Sequence, residues 1–411
     1  MPKWCLMQLG IVGKTNVGKT TFFCAATLAP AKIASYPFTT IEPNRGIAYV
    51  QVECVCKKLG VRDNPVNSMC IDGIRYVPVE LVDVAGLVPD AWKGRGLGNK
   101  FLDDLRQADA LIHVLDVAGA TDINGTPCNP GMHDPAEDVV FLEKEIDMWI
   151  YQILKRDWDR LVKAAKTRVG GFAELLSDRL SGLSISRRHV VKALQDVGLD
   201  ALDPSKWCDD DLLRFVDALR KLSKPMLIAA NKIDLPTAEE NIKKLRTAFP
   251  DKVIIPCSAE AELALRQAAQ RGLIRYRPGD KDFEILKPNE LTEKQLNALK
   301  FIKKLLEKWG STGVQEVINT AYLKLLDMIP VFPVEDVNKL TDHHGNVLPD
   351  VYLVPRGTTA RQLAYRIHSD LGDTFLYAIN AVTGERVGED YVLKEGDVIK
   401  VVATKAIKSR T

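Results

Sequence analysis

The chain has 411 residues, of which 46% are hydrophobic and 27% charged, enough apolar material for a large core and for two or three domains. Its formal net charge is +2, so bulk charge does not call for a nucleic-acid partner, and no apolar run reaches the length of a membrane span. Cys54 and Cys56, two of eight scattered cysteines, stand one residue apart, which does not match a zinc knuckle, and all eight are read as reduced thiols of a cytoplasmic protein.

In chain order, Gln8-Leu9-Gly10-Ile11-Val12 reads as a short buried strand. It leads into Gly13-Lys14-Thr15-Asn16-Val17-Gly18-Lys19-Thr20, and a helix is expected to start at about Lys19, with Thr21 in its first turn and Phe22, Phe23 and Leu28 as apolar positions. This is G-x-x-x-x-G-K-T in a strand–loop–helix setting. The two glycines let backbone N–H groups turn inward as a nest for phosphate oxygens, and the helix N-terminus adds its positive dipole end. Lys19 is expected to bridge β- and γ-phosphates, and the Thr20 hydroxyl to ligate Mg²⁺.

Val79-Glu80-Leu81-Val82-Asp83-Val84-Ala85-Gly86 is an apolar strand ending in D-x-x-G. Asp83 is expected to hold Mg²⁺ through a water, and the Gly86 N–H to contact the γ-phosphate and sense its loss. Further on, Pro225-Met226-Leu227-Ile228-Ala229-Ala230 reads as a buried strand that runs into Asn231-Lys232-Ile233-Asp234. The Asp234 carboxylate can accept two hydrogen bonds from the guanine edge, a pair that adenine cannot supply. Lys232 is expected to lay its stem over the base and Asn231 to brace the loop. After a last strand over 253–257 come Ser258-Ala259-Glu260, where a backbone N–H near Ala259 is expected to donate to the guanine carbonyl. Four strand-end motifs in this order predict an α/β mononucleotide-binding sheet with GTP at the carboxyl ends of its strands.

Between these landmarks, Tyr36-Pro37-Phe38-Thr39-Thr40-Ile41-Glu42-Pro43-Asn44-Arg45-Gly46 and the glycine-rich run from Asp83 through Gly94, Gly96 and Gly98 to Leu102 resemble the switch regions of the Obg-like GTPases of the TRAFAC class. The long helical insertion and the C-terminal segment narrow the resemblance to the YchF-related branch. It implies Thr40 as the second Mg²⁺-binding hydroxyl, with Thr39 its rival. Many members of that branch carry an altered base motif and prefer ATP; this chain keeps Asn231, Lys232 and Asp234, which predicts GTP. Leu87 occupies the position of the water-orienting glutamine of Ras-like proteins, so intrinsic hydrolysis is expected to be slow. Asn16 stands where potassium-dependent relatives place an asparagine ligand; it either helps hold K⁺ or only braces the loop. His113, mid-strand in an apolar run, reads as a packed core histidine.

The expected organisation is a P-loop NTPase G domain (1–134 and 222–329), an α-helical domain inserted at 135–221, and a β-grasp domain at 330–411 after a linker at Met328-Ile329-Pro330. Apolar residues at helical spacing, such as Ile146, Trp149, Ile150 and Leu154, predict the helices of the insertion. In the last segment a helix is expected over 359–368 with Thr358 as N-cap. That segment, including Leu393-Lys394-Glu395-Gly396-Asp397-Val398-Ile399, resembles a TGS domain, which implies contact with RNA or the ribosome. The leading expectation is a nucleotide-controlled switch on the ribosome. The alternatives are an RNA- or ribosome-binding scaffold indifferent to nucleotide state, an ATPase, and a metabolic kinase, the last opposed by the base motif.

Overall fold

The computed structural model describes residues 7–28, 44–87, 89–93, 104–165, 171–199 and 203–404. The chain divides into two compact units, one built from Met7–Gly46 and Glu80–Val317, the other from Ile47–Val79 and the chain from Ile318 onward. Among the described residues no helix is long and apolar enough to cross a membrane.

The first unit opens with β1 (Gln8–Val12) and α1 (Lys19–Thr27). The chain then makes β2 (Arg45–Glu53), α2 (Val55–Leu59) and β3 (Met69–Ile71) before β4 (Ile74–Asp83), inside which the boundary between the units falls. β5 (Ala110–Asp116) follows, then five helices: α3 (Pro135–Lys155), α4 (Trp158–Ala165), α5 (Gly171–Leu180), α6 (Arg187–Val197) and α7 (Asp209–Ser223). The chain returns through β6 (Met226–Asn231), α8 (Ala238–Ala248), β7 (Ile254–Pro256), α9 (Ala259–Gln270), the short antiparallel pair β8 (Ile274–Arg275) and β9 (Glu284–Ile285), and α10 (Glu293–Trp309).

The end of β4, then β1, β5, β6 and β7 lie side by side, all parallel, with registers such as Ile11↔Asp83, Val12↔His113 and Asp116↔Asn231. A parallel sheet needs both faces covered, hence the unbroken apolar runs of β1 and β5. β1, β5 and β6 are buried along almost their whole length. One core cluster joins Val12, Val82 and Leu111 to Leu142, Ile146 and Trp149 of α3 and to Phe215 of α7. Asp134 caps α3 by accepting from the Ala136 N–H, and Pro135 takes the first turn, where its missing N–H costs nothing. Trp158, Phe172, Trp207 and Phe215 form a chain of aromatic contacts with centroids 5.6–5.7 Å apart, which pins α4, α5 and α7.

The second unit ends in a five-stranded sheet ordered β11-β10-β14-β12-β13, made of β10 (Met328–Pro333), β11 (Tyr352–Pro355), β12 (Phe375–Asn380), β13 (Arg386–Val387) and β14 (Val398–Ala403). The parallel β10–β14 pair and the helix α11 (Ala360–Ile367) make it a β-grasp. Two expectations change here. Met328, Ile329 and Pro330 are not a linker: they pair with Pro355, Val354 and Leu353, and Ile329 is fully buried. The N-cap of α11 is Thr359, not Thr358. The Thr359 hydroxyl accepts from the Gln362 N–H while Gln362 reaches back to the Thr359 N–H; Thr358 instead donates to the Pro355 carbonyl.

Candidate functional site

The loop between β1 and α1 curls at the carboxyl edge of the sheet. Gly18 has φ +96°, and a Cβ there would stand 2.4 Å from Asn231 Nδ2, so only glycine fits. Lys19 starts α1, is buried, and donates from Nζ to the Lys14 carbonyl at 2.7 Å. Burial pushes its ammonium down to about 8, with Asp83 partly offsetting the shift. Thr20 donates to Asp83 Oδ2 at 3.0 Å. Burial pushes the Asp83 carboxyl up, against the opposing pull of Thr20 and Lys19, and its Oδ1 is buried with no hydrogen-bond partner among the described residues. A desolvated ammonium beside a desolvated, half-satisfied carboxylate suits an anion and a cation held together. The donor set of one hydroxyl and one carboxylate is hard oxygen, which fits Mg²⁺.

After β4, Val84 donates its N–H to the Ile11 carbonyl and Leu87 to the Gly13 carbonyl, so Val84-Ala85-Gly86 runs alongside the phosphate loop. A Cβ on Gly86 would lie 3.0 Å from Lys19 Nζ, which places this backbone at the same spot as the lysine head. Leu87 is 2% exposed and belongs to the core cluster beneath the sheet edge. Thr39 and Thr40, and the glycine-rich run 94–102, lie outside the described residues.

Several loop side chains serve the loop itself. Lys14 turns inward to a buried pair with Asp138 on α3, 2.7 Å, and to the Thr121 carbonyl, leaving only its backbone facing the cradle. Thr15 donates to the Asn124 carbonyl at 3.1 Å and Asn16 Nδ2 to the Gly125 carbonyl at 2.9 Å. Residues 121–127 thus brace the phosphate loop from outside. No motif announces that segment; its turn residues Asp122, Asn124 and Gly125 are the available signal.

At the other end of the site, Asn231 is 4% exposed and ties three strand ends together. Its Nδ2 donates to the Val17 carbonyl at 2.9 Å, and its Oδ1 accepts from the Ala259 N–H at 3.0 Å. The Ala259 amide is thereby engaged, and the next one, of Glu260, lies in the first turn of α9, where it has no helical partner. Ser258 donates to Asp234 Oδ1 at 2.8 Å, fixing the carboxylate. Lys232 sits at φ +70° and reaches Asp116 Oδ2 at 2.8 Å, where Thr121 also donates. His113 is buried in β5 and burial pushes it down to about 3, so it stays neutral and packs.

Residues 229–336 match the family described as Obg-like GTPase YGR210-like, G4 motif-containing domain; residues 8–149 match 50S ribosome-binding GTPase; residues 343–403 match the TGS domain. A GTP-binding protein of Methanocaldococcus jannaschii is 54% identical over 97% of this chain and 99% of its own length. The chain belongs to the Obg-like GTPases, in their YchF-related branch. Within that branch, the ribosome-binding ATPase YchF of Bacillus subtilis is 28% identical over 96% of this chain and 98% of its own. A crystal structure of a GTP-binding protein from Pyrococcus horikoshii OT3 superposes with a TM-score of 0.78 at 43% identity, covering 97% of this chain and 100% of that one. The Schizosaccharomyces pombe YchF GTPase shares the fold, with a TM-score of 0.57 at 21% identity.

Proposed function

We propose that this YchF-related protein binds GTP, hydrolyses it slowly to GDP and phosphate, and uses the difference between the two states to control its affinity for the ribosome. The observation that supports guanine is the base end: Ser258 holds Asp234 in place while Asn231 couples that end to the phosphate loop through Val17. Each carboxylate oxygen has two lone pairs, so the bond from Ser258 leaves Asp234 able to accept from both guanine donors. An adenine there cannot supply that pair of donors, leaving the carboxylate with only its bond from Ser258.

Thr20 and Asp83, joined by Thr40, would hold Mg²⁺, which when bound neutralises charge on the β- and γ-phosphate oxygens. Lys19, in contact with Lys14 at 2.7 Å, would exchange that carbonyl for phosphate oxygens. The backbone N–H groups of Gly13 through Thr21 would line the polyphosphate, and the Gly86 N–H would contact the γ-phosphate. In the reaction a water oxygen bonds to the γ-phosphorus as the β–γ bridge bond breaks, and one proton is released. Leu87 is buried and carries no polar atom, so it neither orients nor deprotonates that water. Slow turnover follows. Asn16 keeps its loop-bracing bond to Gly125 through Nδ2, and its Oδ1 is the atom that would face K⁺.

The second reading, an ATPase, is favoured by the Bacillus subtilis relative, a ribosome-binding ATPase, which also motivates the ribosome as partner. Phosphate release from GTP and from ATP, each in KCl and in NaCl, tests the reaction. Faster release from GTP supports the GTPase reading and faster release from ATP the ATPase reading, and a rate that rises in KCl supports the K⁺ role of Asn16. Ribosome pelleting with a non-hydrolysable GTP analogue and with GDP tests the switch; equal pelleting would favour a scaffold.

A further inference from the structure

Between β2 and β4 the chain makes a short excursion that brings four sulfur and oxygen side chains to one point. Cys54 follows β2, Cys56 lies in the first turn of α2, Asp63 comes from the loop after it, and Cys70 sits in β3. One ligand atom from each lies within 4.8 Å of all the others. Cys54 Sγ is 3.2 Å from Asp63 Oδ2, and Cys56 Sγ is 3.8 Å from Cys70 Sγ. The spacing Cys-x-Cys, then six residues to Asp63 and six more to Cys70, matches no common cysteine motif, so the convergence is visible only in the fold.

Arg75, fully buried in β4 and paired in register with Cys70, donates from Nη2 to Asp63 Oδ2 at 2.9 Å and to Cys54 Sγ at 3.4 Å. Ser68 and the Leu348 carbonyl take its Nη1. The guanidinium is thus locked against the cluster from one side.

The geometry points to a structural zinc site held by Cys54, Cys56, Cys70 and Asp63. Tetrahedral Zn²⁺ with Zn–S near ~2.3 Å requires sulfurs ~3.8 Å apart, and the Cys56–Cys70 pair stands at that spacing. It is far too long for a disulfide, whose sulfurs sit ~2.05 Å apart. Three thiolates are soft ligands that select zinc over magnesium or calcium. Four protein ligands close the coordination shell, as structural rather than catalytic sites do. Zn²⁺ offsets two of the four negative charges and Arg75 a third, so the buried cluster carries little excess charge. Arg75 is here a positioning group that fixes the Asp63 oxygen. The site supplies what this stretch lacks: α2 spans only Val55–Leu59, and so short a helix has little stability of its own. Zinc would bind with release of the thiol protons and clasp the end of β2, α2 and the β3–β4 hairpin together.

The test uses the full chain, purified without chelator. Elemental analysis should return one zinc per chain, and exchange with Co²⁺ alone should give the visible bands and sulfur-to-metal charge transfer of a tetrahedral thiolate site. Cys70→Ser should weaken metal retention at least tenfold, while Cys208→Ser, outside the cluster, should leave it unchanged. If Cys70→Ser fails to fold, the cobalt spectrum of the wild-type chain decides alone. An octahedral spectrum, metal well below one equivalent, or a Cys56–Cys70 disulfide recovered by peptide mapping would overturn the assignment.

Discussion

Asp234 and Gly18 carry the sharpest expectations at the scale of single residues. Asp234→Asn exchanges one acceptor for a donor while Ser258 still holds the side chain. Two charge-assisted bonds at about 1.5–3 kcal/mol each are at stake, so GTP affinity should fall at least about a hundredfold. A 2-oxo purine, xanthosine triphosphate, offers the complementary acceptor and should gain affinity; competition against a fluorescent guanine nucleotide measures both. Gly18→Ala forces a Cβ to within 2.4 Å of Asn231 Nδ2 at a left-handed φ. That should cost about 1–3 kcal/mol in unfolding free energy and break the Asn231–Val17 bond, with nucleotide binding lost in the same titration. The motifs made Gly18, Lys19, Asn231 and Asp234 legible from the sequence, because phosphate and base chemistry demands those residue types at strand ends. The inward turn of Lys14 to Asp138 was not legible. Its partner lies 124 positions away and belongs to no motif.

Among the secondary-structure elements, α3 and α7 meet at Arg220, whose guanidinium contacts Asp147 at 2.6 Å, Glu143 at 3.1 Å and Asp217 at 2.7 Å. Burial pushes the Asp147 carboxyl up to about 6 even with Arg220 opposing it. Arg220→Ala leaves these carboxylates facing one another, and urea unfolding should report a loss of about 3 kcal/mol, the lower end for breaking a buried pair. β5 carries a pH signature. His113 binds its proton near 6.5 when unfolded but only near 3 when folded, so the unfolded state holds more protons between those values. The stability tied to neutral His113 is complete above pH 6.5 and is lost as pH falls toward 3, by about 1.4 kcal/mol per pH unit inside the window. Denaturant titrations across that window should show the wild-type chain losing stability faster than His113→Gln; parallel curves would contradict the burial argument. The helices were readable because their apolar spacing survives the surrounding charge, as at Ile146, Trp149 and Ile150. From sequence the start of β10 reads as a linker because Pro330 looks like punctuation. Only pairing with Leu353 reveals it as a strand residue.

On the scale of the whole molecule, two folding units share one chain that crosses between them more than once. Residues 47–79 pack with the chain beyond Ile318: Asn64 and Val66 donate to the carbonyls of Val347 and Pro349, and Gln51 to the Asn319 side chain. No local pattern marks such pairings, since they join segments more than 250 positions apart. The β-grasp itself was legible, because its strand–helix–strand order is local. The described residues of the candidate site, Gly13 to Thr21, Asp83 to Gly86, Asn231 to Asp234 and Ser258 to Glu260, lie within the unit of Met7–Gly46 and Glu80–Val317, and the proposal can be tested on the intact chain in a single titration. Isothermal calorimetry with Mg²⁺ present should show GTP saturating one site per chain and ATP at the same concentration giving no saturable heat. Saturation by ATP without saturation by GTP would contradict the assignment of Asp234 as the group that selects the base.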